Sequence, residues 1–239
     1  MQPFHFKEFS VAHDKCAMKI GTDAVLLGAW AECESANSIL DIGTGTGIIA
    51  LQMAQRSYAE LIDALEIEAD AYEQAVDNFE QSIWGDRLFC YHASLQEFVL
   101  EIDDTYDLVI SNPPFYTSTF NTDQIDEKRS VARHSEFLSY NELLVSTISL
   151  LSETGSCAFV IPYEEETAFI ELAKENKLHI NRITRVKGTP EKQIKRSLLQ
   201  FSFAKKETTI NELIIETQRH VYTLEYIELV KAFYLKMMV

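Results

Sequence analysis

Residues 38 to 47 read Ser38-Ile39-Leu40-Asp41-Ile42, then Gly43-Thr44-Gly45-Thr46-Gly47, and Gly47 to Arg56 resumes with helical spacing. A short apolar run that breaks on three alternating glycines and continues as a helix is the opening of a βα unit. The glycines permit φ > 0 in the turn and let a ligand approach the backbone closely. An acid, Glu66, stands at the end of the next apolar run, Leu61 to Ile67. In such units a carboxylate there accepts the hydroxyls of a nucleotide ribose.

The same grammar continues along the chain. Helical spacing is expected over Ala69 to Ile83, with Ala71, Ala75, Val76 and Phe79 on one face, and strands over Leu88 to His92 and Tyr106 to Ile110. A helix is expected from Ser135 to Leu151, ended by Gly155, then a strand over Cys157 to Ile161 and a helix over Glu164 to Asn176. The final strands are Ile180 to Lys187 and Ser197 to Ala204, too close for a helix between them and so antiparallel at one edge. Near-continuous apolar strands alternating with helices predict an α/β fold. Its sheet is expected to be mostly parallel and seven-stranded, with an antiparallel edge strand and helices on both faces. Before this core, Ala24 to Trp30 reads as a helix with Thr22 or Asp23 as N-cap. After it, Thr223 to Met238 reads as a helical tail.

Composition narrows the class. No apolar run approaches the ~18 residues needed to span a bilayer, and the N-terminus lacks a basic start followed by an apolar stretch, so a cytoplasmic protein is expected. Cys16, Cys33, Cys90 and Cys157 are widely spaced and the histidines show no ligand spacing, so no metal is assigned. The net charge of −16 argues against a polyanionic partner, but it is uneven. Residues 174 to 206 hold ten basic side chains against two acidic ones, a balance of +8 that leaves −24 for the remainder. Two readings stand side by side: a solvated face, or a phosphate-facing patch that includes Lys187, Lys192, Lys195 and Arg196.

The spacing of the glycine turn is GxGxG, not the GxGxxG of a pyrophosphate site, and Asp41 precedes it by two residues. An acid there repels a pyrophosphate and suits a cofactor with a cationic amino-acid end and a sulfonium, S-adenosylmethionine. The strand Tyr106 to Ile110 then runs into SNPPFY, residues 111 to 116. Two prolines stiffen this loop and remove backbone donors. The Asn112 side-chain oxygen and the Pro113 carbonyl can each accept one N–H of a planar amino group and aim its lone pair at a methyl donor. Phe115 can stack on a flat base, and a base in folded RNA must be turned out to reach it.

DxGxGxG, an acidic strand end and NPP[FY] resemble the class I, Rossmann-like, S-adenosylmethionine-dependent methyltransferases of amino nitrogens. The segments FHFKEFSVAHDKCAMKIGTDAVLLGAW, residues 4 to 30, and ARHSEFLSYNELL, residues 132 to 144, are similar to the bacterial tRNA(Val) adenine-37 N6-methyltransferases. The resemblance implies tRNA as partner, with Asp41, Gly43, Gly45 and Gly47 at the methionine end of the cofactor and Glu66 at its ribose. It implies that Asn112, Pro113, Pro114 and Phe115 hold the target base, and that Lys19, Gly21, Thr22 and Asp23 belong to a segment over the cofactor. Where the family carries an Asp near the cofactor adenine, this chain has Ala93-Ser94; Ser94 is expected to bond the adenine amino group and to bind the cofactor less tightly. Arg133 is expected at a phosphate, with His134 beside it as a positioning group. The resulting layout is one domain over residues 1–239: an extension over the cofactor site (1–37), a catalytic core (38–206) and a helical tail (207–239), with the oligomeric state left open and a monomer favoured. The rivals are an amino-methyltransferase of rRNA or of protein glutamine, a cofactor-binding RNA chaperone, and an NAD-dependent oxidoreductase.

Overall fold

The computed structural model describes residues 2–16, 19–113 and 138–237. Pro114, Phe115 and Arg133, and His134 with them, lie outside the described residues.

A two-stranded ribbon, β1 (Phe4–His5) and β2 (Ser10–Val11), precedes α1 (Thr22–Trp30). The core then alternates: β3 (Ser38–Ile42), α2 (Ile48–Arg56), β4 (Leu61–Glu66), α3 (Ala69–Glu80), β5 (Leu88–His92), α4 (Leu95–Glu101) and β6 (Tyr106–Ser111). After the segment outside the described residues come α5 (Tyr140–Leu150), β7 (Leu151–Pro162), a 3-10 turn (Tyr163–Glu165), α6 (Glu166–Glu175), β8 (His179–Lys187) and β9 (Arg196–Ser202). The chain closes with β10 (Thr209–Ile214), a ribbon of β11 (Glu216–Gln218) and β12 (Val221–Tyr222), and α7 (Leu224–Val230).

The main sheet has the order β10-β8-β9-β7-β6-β3-β4-β5. One apolar layer, with α1, α2, α3 and α7, covers one face through residues such as Leu27, Leu51, Phe79 and Phe233. The other face is covered by α4, α5 and α6 through Phe98, Leu144 and Phe169. The helices on both faces and the mostly parallel pairing are those of a Rossmann-like sheet.

Two details differ from the sequence reading. The sheet has eight strands, because Thr209–Ile214, expected to begin a helical tail, pairs parallel to β8. The antiparallel strand β9 therefore lies inside the sheet, flanked by β7 and β8, rather than at its edge. Without β10, the outer edge of β8 would present a row of unpaired backbone groups. The tail contributes a single short helix, capped by Thr223, whose hydroxyl accepts from Tyr226 N at 3.2 Å.

Gly155 also behaves differently: it lies within β7 and does not end a helix. A Cβ at this position would lie 2.9 Å from Tyr106 O, so the residue permits a close approach of β6 and β7 where their register shifts. The helix before it stops at Leu150 and starts on a capping box, in which Ser139 Oγ accepts from Glu142 N at 3.2 Å and Glu142 Oε2 accepts from Ser139 N at 2.9 Å.

Candidate active site

From β3 the chain proceeds outward to β4 and β5, then returns so that β6 lies on the other side of β3. Ligands of open α/β sheets bind at the carboxyl ends of strands where the order reverses in this way. The β3–β6 register sets Asp41 beside Ile110 and Ile42 beside Ser111. Ser111 Oγ donates to Ile42 O at 2.8 Å and ties the two strand ends together. The glycine turn and Asn112 thus leave the sheet side by side.

The turn is built against β4. Gly43 N and Thr44 N both donate to Leu65 O at 2.9 Å. Gly43, Gly45 and Gly47 have φ of +71°, +57° and +79°. A Cβ at Gly43 or Gly45 would meet nothing within 4 Å, so the loop's backbone faces open space, whereas one at Gly47 would lie 2.5 Å from Phe79 Cε1. The glycines therefore divide the work: the first two leave room above the loop and the third lets α2 close onto α3.

Glu66 braces the loop from the next strand. Its Oε2 accepts from Gly45 N at 2.8 Å and its Oε1 from Glu68 N at 2.9 Å. Asp41 sits beneath the loop and is wholly buried. Its Oδ2 accepts from Thr44 Oγ1 at 2.6 Å and Ala50 N at 3.2 Å. Its Oδ1 is buried and has no partner among the described residues. Burial pushes this carboxyl up to about 7, against the bonds from Thr44 and Ala50, with nearby Glu66 adding to the rise.

Across the switch point, Asn112 Oδ1 is a second buried acceptor with no donor among the described residues. Pro113 is buried beside it. A buried acceptor without a donor is costly in a finished fold.

The N-terminal segment meets this rim at two anchors. Asn78 of α3 donates through Nδ2 to Ala12 O at 2.9 Å and Thr46 O at 2.8 Å, and accepts from Ala12 N at 2.8 Å. Burial and the neighbouring Glu66 carboxylate push the Cys16 thiol up to about 11. At the other end, Arg196 Nε donates to Asp23 Oδ2 at 2.7 Å, joining β9 to the start of α1. Lys19 Nζ donates to His13 O at 2.9 Å. The expected N-cap is corrected: Gly21 takes that position with no side-chain bond, and Thr22 and Asp23 lie inside the helix. Asp23 is drawn instead to the guanidinium.

Ser94 is also occupied. It is the N-cap of α4: its hydroxyl donates to Glu97 Oε2 at 2.7 Å and accepts from Glu97 N at 3.2 Å. The sequence reading passed over this helix, so the Ser94–Glu97 capping box went unrecognised. Two further residues at the rim were missed. Ile67, one position past Glu66, is 60% exposed and offers an apolar surface at the strand end. Asn78 had a legible signal: with Gln74 it is a polar member of the buried stripe Ala71, Gln74, Ala75, Asn78 and Phe79.

Four of the ten basic residues in the window are paired with acids elsewhere in the chain. Arg182 lies 3.7 Å from Glu32 and over the Trp30 ring, Arg185 binds Glu166, Lys187 lies 2.9 Å from Glu212, and Arg196 binds Asp23. Lys192 and Lys195 form no ion pair among the described residues.

A sequence profile of the methyltransferase small domain matches residues 16–161. A protein of Christiangramia forsetii named tRNA1(Val) (adenine(37)-N6)-methyltransferase is 58% identical over 239 residues, covering 99% of each chain. A Flavobacterium johnsoniae protein of the same name is 58% identical over 236 residues, 98% of this chain and 100% of that one. The chain belongs to this methyltransferase family. Solved structures support the methyltransferase fold. A predicted O-methyltransferase from Agrobacterium tumefaciens superposes with a TM-score of 0.65 at 18% identity, covering 88% of this chain and 96% of that one. A putative class I S-adenosylmethionine-dependent methyltransferase from Listeria monocytogenes gives 0.55 at 16% identity, covering 84% and 69%. In this methyltransferase the glycine turn, Glu66 and Asn112 meet at one strand-end crevice, while Ser94 and Arg196 are engaged in holding the fold.

Proposed function

We propose that the protein transfers the methyl group of S-adenosylmethionine to the N6 amino group of adenine 37 in tRNA(Val). The observation that carries this reading is Asn112 Oδ1, a buried acceptor with no donor among the described residues, held at the end of β6 beside a glycine loop with an open backbone face. The relatives' shared name supports adenine 37 of tRNA(Val) as the target.

The residues fit the cofactor. The open faces of Gly43 and Gly45 admit a ligand against the backbone, and the unpartnered Asp41 Oδ1 suits a cationic donor. Glu66 keeps lone pairs beyond those used by Gly45 and Glu68 for ribose hydroxyls, with Ile67 beside it as an apolar surface for adenine. S-adenosylmethionine, when bound, supplies an electrophilic methyl group on a sulfonium. The exocyclic nitrogen of adenine is a poor nucleophile because its lone pair is delocalised into the ring. Asn112 Oδ1 and the Pro113 carbonyl accept its two N–H bonds, hold the amino group in place and stabilise the positive charge that develops on it. Once N6 is cationic it is acidic, and its surplus proton leaves along one of these hydrogen bonds to water. No strong base is required beforehand.

Purified protein, methyl-labelled S-adenosylmethionine and unmodified tRNA(Val) transcript, followed by nucleoside digestion, test the proposal. Label in N6-methyladenosine that disappears when adenine 37 is replaced is the expected result. Label on another nucleoside, or on protein glutamine in place of RNA, overturns the assigned substrate.

A further inference from the structure

The register across the substrate side of the sheet places a second group of residues level with the target-base site. Extending the β6–β7 pairing by two residues sets Pro113 beside Ile161. Ile161 pairs with Ser197, and Ser197 with Arg185. Pro113, Ile161, Ser197 and Arg185 thus form one row across the carboxyl edge of β6 and β7. Tyr163 lies two residues beyond Ile161, roughly 7 Å above that row for an extended chain. The residue is 38% exposed.

Arg185 is immobilised with part of its donor set unused. Its Nε donates to both Glu166 oxygens at 3.1 Å, and its Nη2 donates to Oε1 at 2.6 Å. Glu166 is only 5% exposed and also accepts from Ser197 Oγ. The guanidinium carbon lies 5.6 Å from the Tyr163 ring centroid, and Nη1 makes no hydrogen bond among the described residues. Tyr163 N donates to Lys195 O at 3.2 Å, which fixes the Tyr163 backbone against the turn before β9. A partly exposed aromatic ring beside a fixed cation matches the chemistry of a nucleotide: a base to stack and a phosphate to bind. The cation's conformational freedom is already lost in the free protein, so binding need not order it.

We propose that Tyr163 and Arg185 form a nucleotide subsite next to the target-base pocket, where Tyr163 stacks on a base flanking the target adenine and Arg185 holds its phosphate. This rests on the RNA substrate proposed above. Tyr163→Ala and Tyr163→Phe are compared with the wild type for equilibrium binding of an anticodon stem-loop RNA, for steady-state methylation and for cofactor affinity. Tyr163→Ala should weaken RNA binding and raise the RNA KM by about tenfold, the lower range for loss of one stacked base. Its kcat and cofactor Kd should stay near wild type, and Tyr163→Phe should restore RNA binding. Arg185→Gln, checked for retained fold by its melting temperature, should reduce the slope of log K against log salt by about 0.7. Equal RNA affinity of Tyr163→Ala and wild type sinks the subsite alone. Absence of methylation at adenine 37 by the wild type, scored in the same reactions, sinks the substrate assignment independently.

Discussion

The two sides of the strand-end crevice are built by opposite means. On the β3–β4 side, the site is made of backbone: three glycines at positive φ, held by Leu65 O and Glu66 of the adjacent strand and by Asn78 of α3. On the β7–β9–β8 side it is made of long cationic side chains fixed by acids distant in sequence, Asp23 for Arg196 and Glu166 for Arg185. The first construction suits a ligand of constant shape that must lie close against the chain. The second suits a polyanion, since charge can be left partly unneutralised at chosen points. A run of basic residues is therefore not itself a binding patch; what remains available after pairing is.

Asn112 stands between the two sides, and its replacement is the sharpest probe of the boundary. Asn112→Ala should lower kcat by about 10²–10³, the cost typical of removing one preorganised polar partner of the transition state. Cofactor affinity measured by calorimetry should change little; a large loss there would move Asn112 to the cofactor side.

The glycine side can be divided in turn. Gly47→Ala places a Cβ 2.5 Å from Phe79 and at φ +79°, so it should cost about 2–4 kcal/mol in stability, read by urea denaturation. Gly45→Ala meets no atom within 4 Å and should cost only about 1–2 kcal/mol for its left-handed backbone. Its main effect should be on cofactor affinity. Equal affinity losses for the two variants would break the distinction between a glycine for space and a glycine for packing.

On the cationic side, Lys192→Glu with Lys195→Glu should weaken RNA binding and flatten its salt dependence without lowering the melting temperature. Arg196→Glu sets a carboxylate against Asp23 and should lower the melting temperature as well, with partial recovery when Asp23→Lys is added. If Arg196→Glu alters RNA binding alone, the ion pair to Asp23 contributes nothing to the fold.

Asp41 gives a pH signature belonging to the glycine side. Its carboxyl ionises near its ordinary 3.8 in the unfolded chain and at about 7 in the folded one. The stability it contributes is complete below about pH 4, is lost as pH rises towards 7 and is level above that. Asp41→Asn should remove this component from the pH dependence of the urea midpoint. The smallest effect is expected at Ser94: Ser94→Ala removes the α4 cap and should cost about 1 kcal/mol, while cofactor affinity stays unchanged if capping is its only task.

Much of the fold was legible because its signals are local. The boundaries of β5 match the apolar run Leu88 to His92, and β3 ends at the glycines where the period breaks. The edge strand β10 was not legible, since Thr209–Ile214 is mostly solvent-facing and lacks a core-facing alternation. Gly155 misled because a glycine after a helical run reads as a terminator, whereas here it serves a close approach between strands.

By itself, the sequence determined the order of the strands from β3 to β9, the glycine turn with its two acids, and the amide at the end of β6, because each depends on residues a few positions apart. Only the tertiary structure decided which of these groups remain available. Asp23, Lys187 and Arg196 look free in one dimension and are bound in three, since their partners are chosen by sheet order and register. The same folding that satisfies them leaves Asn112 Oδ1 buried with no donor among the described residues.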